Sequence, residues 1–236
     1  MSIPKQECSS VNLAIERITD MKSFCIIGLG KFGSTLAETL AKNGKQVLVI
    51  DSDADRVNDI ADKVTYAVIG DPTNEKVLRS AGVKDYQCAV VCMTQINENI
   101  LLTILLKEMG IQKVICRAIN EGHHNVLEKL GADGIVFPER DSAEKLAFML
   151  QKDNVTEYID FHGYKIVEIK VPNSWVGKTL IDLEIRSKYD VSVLATIKAD
   201  GNADIPPSPR RKFQEDESVS VLGTDKAIAK LTRYVR

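Results

Sequence analysis

Short apolar runs alternate with amphipathic segments along residues 22–150 of the chain. The apolar runs are nearly continuous, which is typical of parallel strands covered on both faces, and the segments between them have helical spacing. Six strands separated by five helices predict an α/β fold with an open, doubly wound parallel sheet of the Rossmann type. The predicted strands are SFCIIG, QVLVID, TYAVIG, CAVVCM, KVICRA and GIVFP.

Several of the predicted helices are followed by glycine. The residue just past the end of a helix often adopts a left-handed conformation, which glycine reaches without a steric penalty. The glycines that we expect to end helices in this way are Gly44, Gly82, Gly110 and Gly131.

The pattern changes after residue 138. The segment PERDSAEKLAFMLQKDNVTEYID predicts one helix and a second short helix that lead away from the sheet. Beyond it, YKIVEIKV, SVLATIK, ADIPP and ESVSVLG predict an antiparallel sheet, and LIDLEIRSKY and DKAIAKLTRYV predict its two helices. The chain therefore divides into a polar lead, a first domain, a crossover helix with its linker, and a smaller α+β domain, at residues 1–21, 22–138, 139–160 and 161–236.

A glycine motif of the form G-x-G-x-x-G lies between the first strand and the first helix. Gly28 permits the tight turn, Gly30 lets the backbone approach a pyrophosphate, and Gly33 allows close packing of the helix on the strand. Asp51 ends the second strand, where a carboxylate accepts hydrogen bonds from ribose hydroxyls and repels the 2′-phosphate of NADP. The motif in this context predicts a nucleotide site. A glycine turn that binds nothing is the alternative, and it leaves the position of Asp51 unexplained.

Three further residues end predicted strands on the same edge of the sheet: Asp71, Thr94 and Arg117. Asp71 has two interpretations, as an acceptor for the adenine amino group or as the N-cap of the following helix. Arg117 ends a run that is otherwise apolar, and a buried cation requires an anion, for which a phosphate is suited.

The composition excludes some functions. The formal net charge is −2 and the pI is near 6.0, so no basic surface for nucleic acid is expected. No apolar run approaches the roughly 18 residues of a membrane-spanning helix, which predicts a soluble protein. The five cysteines are mostly in apolar runs and predict free thiols in a reducing cytoplasm rather than a metal site.

No set of residues for acid–base catalysis stands out. His123 and His124 open a predicted helix, which is typical of a solvated first turn, and His162 lies in the linker to the second domain. This favours a sensor over an enzyme, since a dehydrogenase needs a proton donor or acceptor beside its nicotinamide. The alternatives are an NAD-dependent oxidoreductase and a redox-sensing repressor, which would need a basic DNA-binding helix.

Five segments of the chain resemble a known family. GLGKFG, IDSD, GDPT, RAINEGHHNVLEKLGADGIVFPERD and IDLEIRSKYDVSVLATIK are similar to the RCK domains (TrkA-N and TrkA-C) of cytosolic regulators of potassium transport, above all those of the KtrA type. The resemblance covers about residues 22–236. It implies a cytoplasmic regulatory subunit, peripheral to the inner face of the membrane, that gates a potassium-translocating partner of the KtrB or TrkH type.

The resemblance also implies ligands and an assembly. KtrA-type domains bind ATP or ADP, form homodimers and assemble into octameric rings whose shape differs between the two nucleotides, whereas TrkA relatives bind NAD(H). In this chain it places Lys31, Phe32 and Ser52 at the nucleotide, with Lys31 at the position of an arginine that reaches a terminal phosphate. Lysine keeps the charge but lacks the planar fork of arginine.

The resemblance also implies roles for Arg117 and Glu139. Arg117 falls where the family has a basic phosphate contact, and Glu139 matches a carboxylate that helps to bind a cation, such as Mg²⁺, near the phosphates. The alternative for Glu139 is an acid in the first turn of a helix, where the helix dipole stabilises a negative charge.

In several KtrA-type proteins the C-terminal domain binds cyclic di-AMP. By this resemblance the apolar walls of such a site are Leu180, Ile181 and Ile185, while Arg186 meets a phosphate and Pro206 closes the pocket. Ordinary helix core is the alternative for the three apolar residues.

Overall fold

The structure is a computed structural model that describes residues 21–152, 154–161 and 163–234. Within these residues the chain forms two compact units, which we call the N-terminal unit (21–139) and the C-terminal unit (140–234). Nearly all of the predicted polar lead lies outside the described residues. No helix in the described part of the chain is long and apolar enough to span a membrane.

The N-terminal unit is built on a parallel sheet of six strands in the order β3-β2-β1-β4-β5-β6. The predicted strands and the doubly wound fold are thereby confirmed. The strands are β1 (Ser23–Ile27), β2 (Gln46–Asp51), β3 (Tyr66–Ile69), β4 (Cys88–Val91), β5 (Lys113–Arg117) and β6 (Gly134–Val136). The helices are α1 (Lys31–Lys42), α2 (Ala54–Ala61), α3 (Glu75–Ser80), α4 (Ile96–Glu108) and α5 (Glu121–Lys129).

Both faces of this sheet are covered. Alternate residues of each central strand enter opposite cores, as the pleat of a strand requires. On β1, Ile26 packs in the core with α1 and α2, whereas Ile27 packs in the core with α3, α4 and α5. This two-sided burial is why the strands read as continuous apolar runs.

Helix ends follow the glycine prediction. Gly44, Gly82, Gly110 and Gly131 all adopt positive φ angles, between 70° and 79°. A residue with a Cβ would be strained at each of these positions, so glycine sets where each helix stops.

Helix α6 (Pro138–Leu150) leads from the parallel sheet into the C-terminal unit. The second short helix predicted after it is wrong, because residues 155–161 form a strand instead. Residues in this segment pair with the following strand, and that ladder outweighs the helical spacing of the sequence.

The C-terminal unit is an antiparallel sheet of five strands in the order β10-β9-β11-β8-β7. Its strands are β7 (Val155–Phe161), β8 (Tyr164–Lys170), β9 (Ser192–Ile197), β10 (Ala203–Asp204) and β11 (Ser218–Gly223). Its helices are α7 (Leu180–Leu183), α8 (Ile185–Tyr189) and α9 (Asp225–Tyr234). The segment predicted as one helix, 180–189, is two, because Glu184 takes a left-handed conformation (φ 48°) between them.

An ion pair holds the long loop between β10 and β11. The carboxylate of Glu217 is 2 % exposed and accepts hydrogen bonds from Arg211 and from the N–H of Gln214. Arg211 also contacts Asp204, so it joins β10 to the end of the loop. Burial alone would raise the pKa of Glu217, but these hydrogen bonds outweigh it and hold the pKa below its usual range.

We expect Glu217→Gln to lower the stability of the C-terminal unit by about 3 kcal/mol at neutral pH, the low end for a broken buried pair, because Arg211 keeps Asp204. The ionised Glu217 stabilises fully above its unfolded pKa of about 4.3, and this contribution is lost as the pH falls through the lower folded pKa. The single tryptophan, Trp175, is buried in this unit, so its fluorescence during urea unfolding measures the effect. A difference between wild type and variant that stays constant down to pH 3 would contradict the assignment.

Candidate functional site

The glycine motif forms the turn from β1 into α1. Gly28 has a φ of 97°, a conformation that favours glycine. A Cβ on Gly33 would lie 2.0 Å from the carbonyl oxygen of Gly28, so only glycine permits the observed packing of α1 on the turn. A Cβ on Gly30 would meet nothing within 4 Å, so the space beside this residue is open. The turn therefore has one face closed by packing and one face open.

The first turn of α1 offers backbone donors. Gly30 is its N-cap and brings no side chain to cap the free N–H groups, and the first turn holds no acidic residue. Uncapped N–H groups at the positive end of a helix dipole attract anions. Lys31 is exposed and adds a further positive charge, while Phe32 is half-buried against the core.

Asp51 is held beside this turn. It is 6 % exposed, and its Oδ2 accepts the N–H of Leu29 (2.5 Å) while its Oδ1 accepts the N–H of Asp53 (2.9 Å). Each oxygen of an ionised carboxylate can accept more than one hydrogen bond, so Asp51 retains acceptor capacity. Its position, fixed to the glycine turn, suits the predicted role with ribose hydroxyls. Ser52 follows it and is exposed.

Asp71 and Thr94 lie at the ends of the neighbouring strands. The N-cap interpretation of Asp71 is wrong, because Asn74 caps α3 and accepts the N–H of Lys76. Asp71 instead accepts the N–H (2.9 Å) and the hydroxyl (2.7 Å) of Thr73. Both Asp71 and Thr94 are exposed, so their other polar atoms are accessible to a ligand.

Arg117 is largely buried and paired. Its side chain is 14 % exposed and forms an ion pair with Glu139, and its guanidinium lies 5.9 Å from the centre of the Phe32 ring. Its Nε is buried and has no hydrogen-bond partner among the described residues. The carboxylate of Glu139 is the anion that this buried cation needs. The Nε of Arg117 remains a hydrogen-bond donor without an acceptor among the described residues.

Asn99 lies at the same edge of the sheet and is not among the residues predicted from the sequence. It is fully buried near the start of α4, and its Nδ2 donates to the carbonyls of Met93 and Arg117, both at 3.1 Å. It thus ties the segment after β4 to the end of β5. The signal in the sequence is that Asn99 directly precedes a run, residues 100–106, that is apolar except for Thr103.

The prediction for the adjacent histidines needs a correction. His123 is 2 % exposed, and burial lowers its pKa, so it is not part of a solvated first turn. It packs inward because the N-cap, Asn120, accepts its backbone N–H and sets the turn of α5 that faces the core. His124 is half-buried, and His162 lies outside the described residues.

The described cysteines are free and buried: Cys25, Cys88, Cys92 and Cys116. Burial raises the pKa of Cys116 to about 11, so its thiol is protonated and unreactive at neutral pH. Across the described ranges no cluster of three His, Cys, Asp or Glu side chains is placed to hold a metal ion. A cation at Glu139 would therefore need ligands beyond the described protein side chains.

The residues predicted to bind cyclic di-AMP differ in how deeply they are buried. Ile185 is 2 % exposed and belongs to the core of the C-terminal unit, and Leu180 is half-buried against that core. Ile181 is 58 % exposed, and Arg186 and Pro206 are exposed as well. The backbone N–H of Ile181 donates to the carbonyl of Pro209 (3.4 Å), which places the start of α7 beside the loop that contains Pro206.

Family models match both units of the chain. A TrkA-N domain matches residues 24–138, and a TrkA-C domain matches residues 166–236. Ktr system potassium uptake protein C of Bacillus subtilis is 35% identical and spans 91% of this chain and 97% of its own length. Ktr system potassium uptake protein A of the same organism is 38% identical over 88% of this chain and 94% of its own length.

Solved structures share the fold. The GsuK channel bound to NAD aligns with a TM-score of 0.64 at 19% identity over 92% of this chain. GsuK bound to ADP aligns with a TM-score of 0.51 at 28% identity over 60% of this chain. The chain spans 40% and 37% of the lengths of those two channel chains.

We expect Gly33→Ala to destabilise the N-terminal unit by about 1–3 kcal/mol or more, because the added methyl group overlaps the Gly28 carbonyl. Gly30→Ala is the matched control; alanine caps a helix less well than glycine, so we expect a smaller cost of about 0.5–1 kcal/mol. Thermal unfolding followed by circular dichroism measures both. Equal melting temperatures for the two variants would show that the close approach at residue 33 is not a constraint.

Proposed function

The chain belongs to the family of potassium-uptake proteins with TrkA-N and TrkA-C (RCK) domains, and we propose that it is the nucleotide-sensing regulatory subunit of a potassium-uptake system. The ligand is an adenine nucleotide, ATP or ADP, with NAD(H) as the alternative. One observation carries the proposal: the open face of the glycine turn, with its uncapped helix N-terminus, lies beside Asp51. A nucleotide needs these two features next to each other, because the helix N-terminus binds its phosphates and the carboxylate binds its ribose hydroxyls.

Each residue of the site has a role that follows from its surroundings. The N–H groups of the first turn of α1, together with Lys31, hold the phosphates, and Asp51 accepts from the ribose hydroxyls. Asp71 accepts from the adenine amino group, with Ser52, Phe32 and Thr94 around the ligand. Arg117 is the second phosphate contact, supported by its unpaired Nε. Glu139 contributes one carboxylate to a cation such as Mg²⁺ when a phosphate supplies the remaining ligands.

Binding acts through a change of population rather than through a reaction. The chain forms homodimers that assemble into an octameric ring, in the cytoplasm at the inner face of the membrane, on a potassium-translocating subunit of the KtrB or TrkH type. Moving such a ring from mostly closed to mostly open needs about 5.5 kcal/mol of differential binding, which eight sites can share. The terminal phosphate is the group that distinguishes ATP from ADP and is the source of this difference.

An enzyme is the less favoured function. The buried His123 is kept neutral and has no hydrogen-bond partner for either ring nitrogen in the described part of the chain, which gives it no relay for acid–base work.

Potassium flux into vesicles that contain the membrane subunit, measured with added chain and either ATP or ADP, tests the regulatory function. Turnover of a metabolite with NAD by the purified chain would instead support an oxidoreductase.

We propose that the C-terminal unit holds a second ligand site, for which cyclic di-AMP is the candidate. Ile181 and Ile205, 58 % and 74 % exposed, are large apolar side chains that a ligand could cover. Adenine bases stack on such surfaces, and Arg186 is exposed to meet a phosphate. Ile185 lies in the core of the C-terminal unit and not on this exposed surface.

We expect Asp51→Asn to weaken ATP and ADP binding by roughly one to two orders of magnitude, because a hydrogen bond to a charged group contributes about 1.5–3 kcal/mol. Isothermal titration calorimetry with ATP, ADP and NADH measures this. Asp62→Asn is the control, since it removes the same charge at the exposed far end of α2. The sensor proposal fails if the folded wild-type chain binds none of the three nucleotides, and Asp51 leaves the site if its variant binds as tightly as wild type.

We expect Ile181→Ser to reduce cyclic di-AMP affinity at least tenfold without loss of stability, since this side chain is 58 % exposed. Ile185→Ser, at a position 2 % exposed, should lower stability by about 2–5 kcal/mol. Calorimetry and urea unfolding separate the two effects. Undiminished binding by the Ile181 variant would remove this face as the ligand site.

A further inference from the structure

The ion pair between Arg117 and Glu139 joins the ends of two neighbouring elements. Arg117 is the last residue of β5 and lies opposite Val136 of β6, and the N–H of Ala118 donates to the Val136 carbonyl (2.8 Å). The chain then turns at Pro138, so Glu139 reaches back over the end of β5 from the first turn of α6. The pair therefore sits at the same carboxyl edge of the sheet as the glycine turn.

The two partners differ in burial. The Arg117 side chain is 14 % exposed and has the Phe32 ring of α1 beside it, whereas the Glu139 side chain is 59 % exposed. A largely buried cation loses much of its hydration and needs an anion, but an exposed carboxylate regains water when it leaves. Arg117 is thus the fixed member of the pair, and Glu139 is the exchangeable one.

A phosphate competes for the same donors. Guanidinium groups bind carboxylates and phosphates through the same planar fork of N–H groups. The guanidinium of Arg117 already has one donor, Nε, that lacks a partner among the residues described. A phosphate that approaches Arg117 gains these donors but meets the negative charge of Glu139, which occupies part of the fork.

We propose that Glu139 is a built-in competitor of the ligand phosphate for Arg117, which lowers the affinity of the site for phosphate-bearing ligands. This inference rests on the proposed function, because it requires a phosphate at Arg117. The competition acts on phosphates alone. It therefore lowers the affinity for ATP and ADP more than the affinity for weakly charged ligands. A divalent cation at Glu139 removes the competition, because it neutralises the carboxylate that otherwise holds Arg117.

The exchange has a consequence for helix α6. Glu139 lies in the first turn of this helix, and Phe148 and Met149 near its other end pack against the core of the C-terminal unit. When a phosphate takes Arg117, the first turn of α6 loses its tie to the end of β5. Phosphate binding therefore loosens the start of the helix that runs from one unit into the other.

The test compares Glu139→Gln with wild type by calorimetry in EDTA, with ATP, ADP and adenosine as ligands. Loss of the competing charge should tighten ATP and ADP binding roughly threefold to tenfold and leave adenosine unchanged. Glu108→Gln is the matched control, since Glu108 is an exposed acid at the far end of α4 and its loss changes the net charge equally. Equal tightening by both variants, or tightening for adenosine, overturns the proposal.

A second background separates competition from simple charge repulsion. If Glu139 acts by occupying Arg117, the increase in ATP and ADP affinity caused by Glu139→Gln mostly disappears in a chain that also carries Arg117→Gln. An affinity increase of the same size in that chain overturns the proposal. Hydrogen exchange gives a readout apart from affinity: the amides of residues 141–144, the first that a helix starting at Pro138 can protect, should exchange faster in wild type with ATP in EDTA than without it. If the folded wild type binds ATP and ADP but Glu139→Gln binds no tighter, only this inference fails, whereas absence of nucleotide binding by both removes the proposed function and the inference together.

Discussion

The contact between helix α1 and the turn that precedes it is the constraint on which the rest of the N-terminal unit depends. A Cβ at residue 33 would lie 2.0 Å from the Gly28 carbonyl oxygen, so the helix approaches the turn as closely as a backbone without side chains allows. This approach fixes the direction of α1 and leaves its first N–H groups uncapped at the edge of the sheet. Asp51 then fastens the turn to the end of β2 through the N–H of Leu29.

Charge at the carboxyl edge is arranged around this turn. Asp51 is an acid fixed by backbone donors, Arg117 is a base fixed by burial and by its neighbour Phe32, and Glu139 is an acid left largely in water. Groups that are fixed bind ligands at little reorganisation cost, and groups that are solvated exchange partners easily. The edge therefore combines two charged groups that are held in place with one carboxylate that is largely solvated. That combination suits a protein whose task is to report occupancy.

The C-terminal unit differs from the N-terminal unit in how its buried charges are paired. Its sheet is antiparallel, with one core between the strands and the helices α7, α8 and α9, and its longest loop is held by the buried pair of Glu217 and Arg211. Large apolar side chains such as Ile181 and Ile205 are exposed in this unit. A fold that satisfies its buried charges internally can leave such side chains for a ligand or a partner.

The sequence by itself determined the features that depend on local pattern. The six strands of the parallel sheet, the glycines that end helices and the turn from Gly28 to Gly33 all follow from period and from the conformations open to glycine. Only the tertiary structure decided the features that depend on partners outside each element. The segment 155–161 became a strand because it pairs with β8, His123 became buried because α5 turns it toward the core, and Asn99 joined the ends of β4 and β5. Glu139 paired with Arg117 for the same reason: hydrogen bonds and ion pairs between residues remote in sequence leave no local periodicity from which they can be predicted.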